Sequence, residues 1–215
     1  MIFRRLPKPE SFEHIRVGML SKWLLEPGDK ATVIALTSRS GGEGVTTVAA
    51  GLARAFGAAD PDGILVLDAA PSRLRVADLL KVKGTPVSFY TVEAGSLDIA
   101  SAIARDSKHG VDILALSEAG PSRPGSTVKA RTIVDQLRPN YRVILLDAGP
   151  LSNGWAAPWL ACSNYRVLVV DASKATREVL EHQKKQFDQG GVVLDCSILN
   201  KRVYPIPKAL YWLAQ

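Results

Sequence analysis

The sequence predicts an α/β domain of three layers, with a mostly parallel central sheet and helices on both faces. Short apolar segments alternate with helical patterns along almost the whole chain. Those segments are continuous apolar runs, not polar–apolar alternations, which marks strands covered on both sides. A glycine-rich turn between the first run and the helix after it supplies the third observation, because ligands in such sheets sit at the carboxyl ends of the strands.

Taken in order, residues 1–9 are basic, carry Pro7 and Pro9, and form a lead-in. Over 10–25, Phe12, Ile15, Met19 and Trp23 recur at three- and four-residue spacing, a helix that Pro27-Gly28 ends. Residues 31–37 form a buried strand, 44–58 an Ala-rich helix, 61–63 (PDG) a turn and 64–69 a second strand. Helices are expected around 74–80 and 97–104. A strand at 111–117, a helix at 127–137 and a strand at 141–148 follow. Then come a helix at 155–161, a strand at 165–172, a helix at 175–187 and a strand at 192–200. A tail helix lies within 204–215. That gives six strands in one domain spanning 1–215. Trp155 and Trp159, four apart on one helical face, read as core or partner-interface residues.

A chain of 215 residues suits one such domain, and 47% hydrophobic against 22% charged residues excludes disorder. The net charge of +6 fits an acidic partner, an anionic membrane surface or a phosphate ligand. The basic residues are scattered, so nucleic acid is not an expected partner. Cys162 and Cys196 lack metal or redox spacing and imply a reduced compartment. His14, His109 and His182 stand in separate segments and read as surface residues. Neither a long apolar span nor a signal-peptide core is present, so the expectation is a cytoplasmic protein.

The informative segment is VIALTSRSGGEGVTTVAAGLARA, residues 33–55. Gly41, Gly42 and Gly44 let the backbone curl so that consecutive N–H groups face inward, and the helix N-terminus adds partial positive charge. Together they make an anion nest suited to a polyphosphate. The candidate nucleotide-binding residues are Arg39, Gly41, Gly42, Glu43, Gly44, Val45, Thr46 and Thr47. Thr46 stands where the Mg²⁺-ligating hydroxyl of a P-loop belongs. That loop normally ends G-K-[ST], and here it reads Gly44-Val45-Thr46. Losing one charge-assisted contact costs about 1.5–3 kcal/mol, or roughly one to two orders of magnitude in affinity. The expected cofactors are therefore ATP or ADP with Mg²⁺, weakened by Val45, with Arg39 the candidate replacement cation.

Two further strands end in aspartate, ILVLDAA at Asp68 and VILLDAGP at Asp147. A carboxylate at such a strand end lies beside the phosphate loop, where it can hold Mg²⁺ or take part in catalysis. The competing reading is a strand-terminating residue that caps the next helix. Asp171 ends a third strand and reads as such a cap.

These motifs resemble the cytoplasmic kinase domain of bacterial tyrosine kinases and capsular or exopolysaccharide chain-length regulators, within the Min/Par branch of P-loop ATPases. SRSGGEGVTTVAAGLARA is similar to the family's S-x-x-P-G-E-G-K-[ST] loop and helix, ILVLDAAPSR to its D-x-D-x-R strand, and VILLDAGP to its hhhhD-T-P-P strand. Thr176 and the strand ending Ile198-Leu199-Asn200 resemble later family positions, which places Asn200 among the nucleotide-binding candidates. The departures are equally specific. Val45 replaces the loop lysine, Ser40 the extra Min/Par lysine, Ala70 the second aspartate, and Ala148 and Gly149 the Thr and first Pro. The family's E-x-x-R-x-x-R assembly helix reads Glu13, Arg16, Met19, and the tyrosine-rich tail is reduced to Tyr204 and Tyr211.

The resemblance implies a degenerate, pseudokinase-like protein with weak or no ATP hydrolysis. It would act as a cytoplasmic partner in polysaccharide synthesis or export, beside a separate inner-membrane co-polymerase of the Wzz type. Homo-oligomers and peripheral contact with the inner leaflet are also implied. Two alternatives stay open: an active autokinase or ATPase of the same family, and a Min/Par-type positioning ATPase whose segment 208–215 meets a membrane surface.

Overall fold

A computed structural model describes residues 10–23, 31–60, 63–70, 75–89, 98–117, 126–178, 180, 181, 185, 187 and 191–201. The lead-in 1–9, Pro27-Gly28, the tail helix, Tyr204 and Tyr211 lie outside the described residues.

Helix α1 (Glu10–Trp23) precedes β1 (Thr32–Ser38), α2 (Val45–Ala59), β2 (Ile64–Asp68) and α3 (Val76–Leu80). Next come α4 (Ile99–Ala102), β3 (Ala104–Asp106), β4 (Val111–Ala115) and α5 (Ser126–Leu137). After β5 (Val143–Pro150), α6 (Ala156–Ala161), β6 (Tyr165–Asp171) and β7 (Cys196–Asn200) close the described fold. The sheet runs β3-β4-β2-β5-β1-β6-β7, seven strands among the described residues where the apolar runs predict six. All pairs are parallel except β3 with β4. The extra strand comes from the expected helix 97–104, which stops after one turn at Ala102 and gives way to a three-residue edge strand. The last strand also begins later than its apolar run, at Cys196 in place of residue 192. Of the expected helix 175–187, residues 177, 178, 180, 181, 185 and 187 are helical.

Side chains alternate across each strand, so each continuous apolar run serves two cores. Ile34, Leu36, Val66, Leu145 and Val167 face α1, α2 and α3. Val33, Ala35, Leu67, Ile144 and Leu146 face α5 and α6 on the other side. Trp159 of α6 is buried in that second core, edge-on to Phe89 at 5.9 Å, whereas Trp155 is half-buried at the helix start. Helix α1 docks on α2 through Phe12, whose ring lies so close to Gly51 that a Cβ there would meet it at 2.3 Å. His109 is half-buried, its Nδ1 2.5 Å from Asp106, so it is not the surface histidine its isolation suggests. Both cysteines are free thiols.

Candidate functional site

Strand β1 ends at Ser38, and the loop after it rises over the carboxyl end of the sheet into α2. Gly42 and Gly44 adopt left-handed φ values of +85° and +99°, which side chains with a Cβ resist. Ser38 Oγ donates to the Ser40 carbonyl at 2.9 Å and shapes the first half of the turn. Helix α2 begins at Val45 with no side-chain cap, and its first intrahelical bond runs from the Val48 amide to the Gly44 carbonyl. The amides before it therefore have no partner within the helix. An uncapped N-terminus behind two left-handed glycines is the geometry of an anion cradle.

Asp68 and Asp147 stand side by side in register on β2 and β5. Counting by twos from Val66 and Leu145 places both carboxylates on the face that α2 covers. Both are fully buried. Each has one oxygen committed to the fold. Asp68 Oδ2 accepts the Val76 amide at 2.9 Å, the first residue of α3, and Asp147 Oδ1 accepts the Gly149 amide at 3.0 Å. The capping reading is thus correct for one oxygen of Asp68, whereas Asp147 accepts an amide of its own strand and caps no helix. The other oxygens, Asp68 Oδ1 and Asp147 Oδ2, are buried and take no hydrogen bond among the described residues.

Burial, and then the neighbouring Asp147, push the Asp68 carboxyl up to about 7. Burial raises Asp147 as well, against the opposing hydrogen bond from the Thr46 hydroxyl. Two unpartnered carboxylate oxygens beside a threonine hydroxyl fit a divalent cation. Among the described residues no group of three or more His, Cys, Asp or Glu could hold a metal ion by itself. Mg²⁺ is commonly bound through one or two carboxylates plus ligand phosphates. Thr46, Asp68 and Asp147 would hold the ion, and when bound it offsets phosphate charge.

The remaining sequence candidates sort by contact. Val45 is buried and belongs to the core beneath α2. Arg39 and Gly41 are exposed, Thr47 is half-buried, and the Arg39 carbonyl accepts the Ser152 amide. Burial raises the Glu43 carboxyl, which also lies near Asp171. Asn200 does reach the loop, its Nδ2 donating to the Glu43 carbonyl at 2.9 Å. Gly149 has a φ of +67° and gives its amide to Asp147, two things a proline cannot do. The strand end therefore needs its departure from T-P-P. Ala70 is buried and would sit 3.0 Å from a Cβ at Gly149.

Sequence reasoning missed one residue. Lys201 Nζ donates to the Gly42 carbonyl at 2.5 Å and to Asp171 Oδ2 at 2.8 Å. Asp171 closes the turn through Ser173 and caps no helix among the described residues: Lys201 first, then Ser173, hold its carboxyl down at about 2. The available signal was positional, since Lys201 follows the last strand at the sheet end where the loop lies.

This architecture is the P-loop NTPase fold. Solved structures share it. The kinase domain of the Escherichia coli tyrosine kinase ETK superposes with a TM-score of 0.75 at 19% identity, over 93% of this chain and 79% of that one. The VpsO kinase domain gives 0.74 at 22% identity, over 91% and 94%. The septum site-determining protein MinD of Pyrococcus horikoshii, complexed with Mg-ADP, gives 0.63 at 20% identity, over 81% and 74%. No protein-family model and no curated protein matches the chain. The chain thus has the fold that bacterial tyrosine kinase domains share with Min/Par-type ATPases. No helix among the described residues is long and apolar enough to cross a membrane.

Proposed function

We propose that this protein is a degenerate member of the tyrosine kinase-like P-loop proteins: it binds ADP or ATP with Mg²⁺ and turns it over slowly or not at all. The observation that carries this is a cradle that keeps its shape and its two metal-side carboxylates while Val45 is turned into the core. The lysine it replaces acts mainly on the phosphoryl group in transfer. Its loss reduces turnover more than binding.

The role we infer is that of a cytoplasmic partner or regulator in exopolysaccharide or capsule synthesis and export. It would dock on a separate inner-membrane co-polymerase and touch the anionic leaflet peripherally. The resemblance in the loop and strand motifs supports this, as does the net charge of +6. A large ring is not part of the proposal. Arg16 is closed by Glu13 at 2.5 Å, and Met19, at the position of the second assembly arginine, is buried.

Calorimetry with ADP and Mg²⁺, together with mass spectrometry of the purified protein for phosphotyrosine, tests the reading. Micromolar binding without rapid turnover and without phosphotyrosine is expected. Rapid hydrolysis, or phosphotyrosine lost in Asp147→Ala, would replace it with the active autokinase. That second reading is favoured by the survival of Thr46, Asp68 and Asp147 as a group.

A further inference from the structure

Two consecutive carbonyls of the phosphate loop are tied to the end of β7. Lys201 takes the Gly42 carbonyl and Asn200 the Glu43 carbonyl. Lys201 is itself held by Asp171, whose second oxygen accepts both the amide and the hydroxyl of Ser173. The tie is tight at Gly44, where a Cβ would come within 2.2 Å of Asn200 Nδ2. Lys201 reaches its place through a left-handed backbone, φ +57°. A residue with a Cβ keeps that conformation only when its surroundings over-determine it.

A trans peptide points the carbonyl of one residue and the N–H of the next in opposite directions, and there are no cis peptides among the described residues. Fixing the Gly42 and Glu43 carbonyls toward β7 therefore turns the Glu43 and Gly44 amides away from it. Consecutive amides facing one way are what an anion nest requires. We propose that Asn200, Lys201 and Asp171 form a clasp that presets the phosphate cradle. Lys201 is then a positioning residue acting on the carbonyl side of the loop, not an ammonium that meets the phosphates. The clasp rests on the nucleotide-binding reading and explains how that site holds its shape without a lysine at position 45.

The test begins on the full chain without ligand. Backbone ¹⁵N order parameters at Glu43 and Gly44 are expected near the rigid value of about 0.85 in the parent protein. Lys201→Met and Asp171→Asn should each drop the Glu43 amide below about 0.6, and Asn200→Ala should do the same to the Gly44 amide. Amides of β1 and β5 report that the fold is intact. ADP with Mg²⁺ should bind about tenfold more weakly to Lys201→Met and to Asp171→Asn, and no worse to the double variant, because both changes open the same clasp.

Unchanged order parameters in all three variants would overturn the proposal. So would an Asp171→Asn protein that binds ADP as well as the parent while Lys201→Met loses affinity, since that makes Lys201 a phosphate-facing cation. If the amides loosen as stated but the parent takes up no ADP, the clasp stands and the nucleotide reading falls.

Discussion

Replacing Asp68 with asparagine should stabilise the ligand-free protein at neutral pH. Asp68 is fully buried, beside a second buried carboxylate, and its carboxyl is raised from 3.8 to about 7. A carboxyl raised by folding binds its proton more tightly in the native state than in the unfolded chain. Its effect is therefore absent below pH 3.8, where both states are protonated. Stability falls as pH rises from 3.8 toward 7 and levels off above that. The interval from 3.8 to about 7, at about 1.4 kcal/mol per pH unit, corresponds to at most about 4 kcal/mol. Asparagine removes the charge and still offers Oδ1 to the Val76 amide, so the anchor of α3 survives. For a chain of this size, 4 kcal/mol is about 8–16 °C in Tm. Thermal unfolding of parent and Asp68→Asn between pH 4 and 8, with Mg²⁺ chelated, measures the effect. The parent should lose Tm across that range, and the variant should show a shallower slope, owed to Asp147. Parallel curves, or a variant less stable at pH 7, would refute the idea that Asp68 carries an uncompensated charge.

Three other substitutions have defined outcomes. Val45→Lys restores an ammonium to the cradle and should tighten ADP binding by about 10- to 100-fold, read by calorimetry, provided the Tm shows that the α2 core tolerates the change. Gly44→Ala should cost about 1–3 kcal/mol in chemical denaturation, from its φ of +99° and from the clash with Asn200. Adding Asn200→Ala should recover only the clash. Gly51→Ala should destabilise the protein although alanine is the better helix former by about 1 kcal/mol, because its Cβ would strike Phe12; Phe12→Ala in the same chain should make the alanine neutral or favourable.

The parallel core of the fold was legible because strands covered on both faces leave no polar positions to interrupt the run, as ILVLD and VILLD show. Strand β3 was not. Its three residues Ala-Arg-Asp pair with β4 at the sheet edge, and so short a run with two charged residues carries no strand signal. The site divides in the same way. Glycine spacing, Thr46 and the aspartates after apolar runs are local signals, although only Asp68 ends its strand and Asp147 lies three residues inside β5. The Lys201–Asp171–Gly42 contacts join residues 30 and 159 positions apart. No periodicity encodes such a contact; only the register of β6 with β7, Asp171 opposite Asn200, brings it about. Arg39, the cation nearest in sequence, is exposed on the loop, and Lys201, which touches the loop backbone, comes from the far end of the chain.

The charge balance of the cradle leads to one more consequence. In an ordinary P-loop the lysine offsets phosphate charge directly, so some affinity survives when the metal is removed. Here position 45 is apolar, Lys201 is engaged by Asp171 and a carbonyl, and Asp68 and Asp147 lie side by side on the face that α2 covers. Without a metal ion, a bound diphosphate would meet two buried carboxylates. With Mg²⁺ present, the same carboxylates become ligands, their raised affinity for protons is exchanged for the metal, and the repulsion turns to attraction. ADP binding should therefore be coupled to Mg²⁺ far more strongly than in a lysine-bearing loop. It should be lost in EDTA, recovered with excess Mg²⁺, and accompanied by proton release near pH 7, where Asp68 titrates. Calorimetry in two buffers of different ionisation enthalpy reads that proton count. Equal ADP affinity with and without Mg²⁺ would mean that another cation already faces the phosphates.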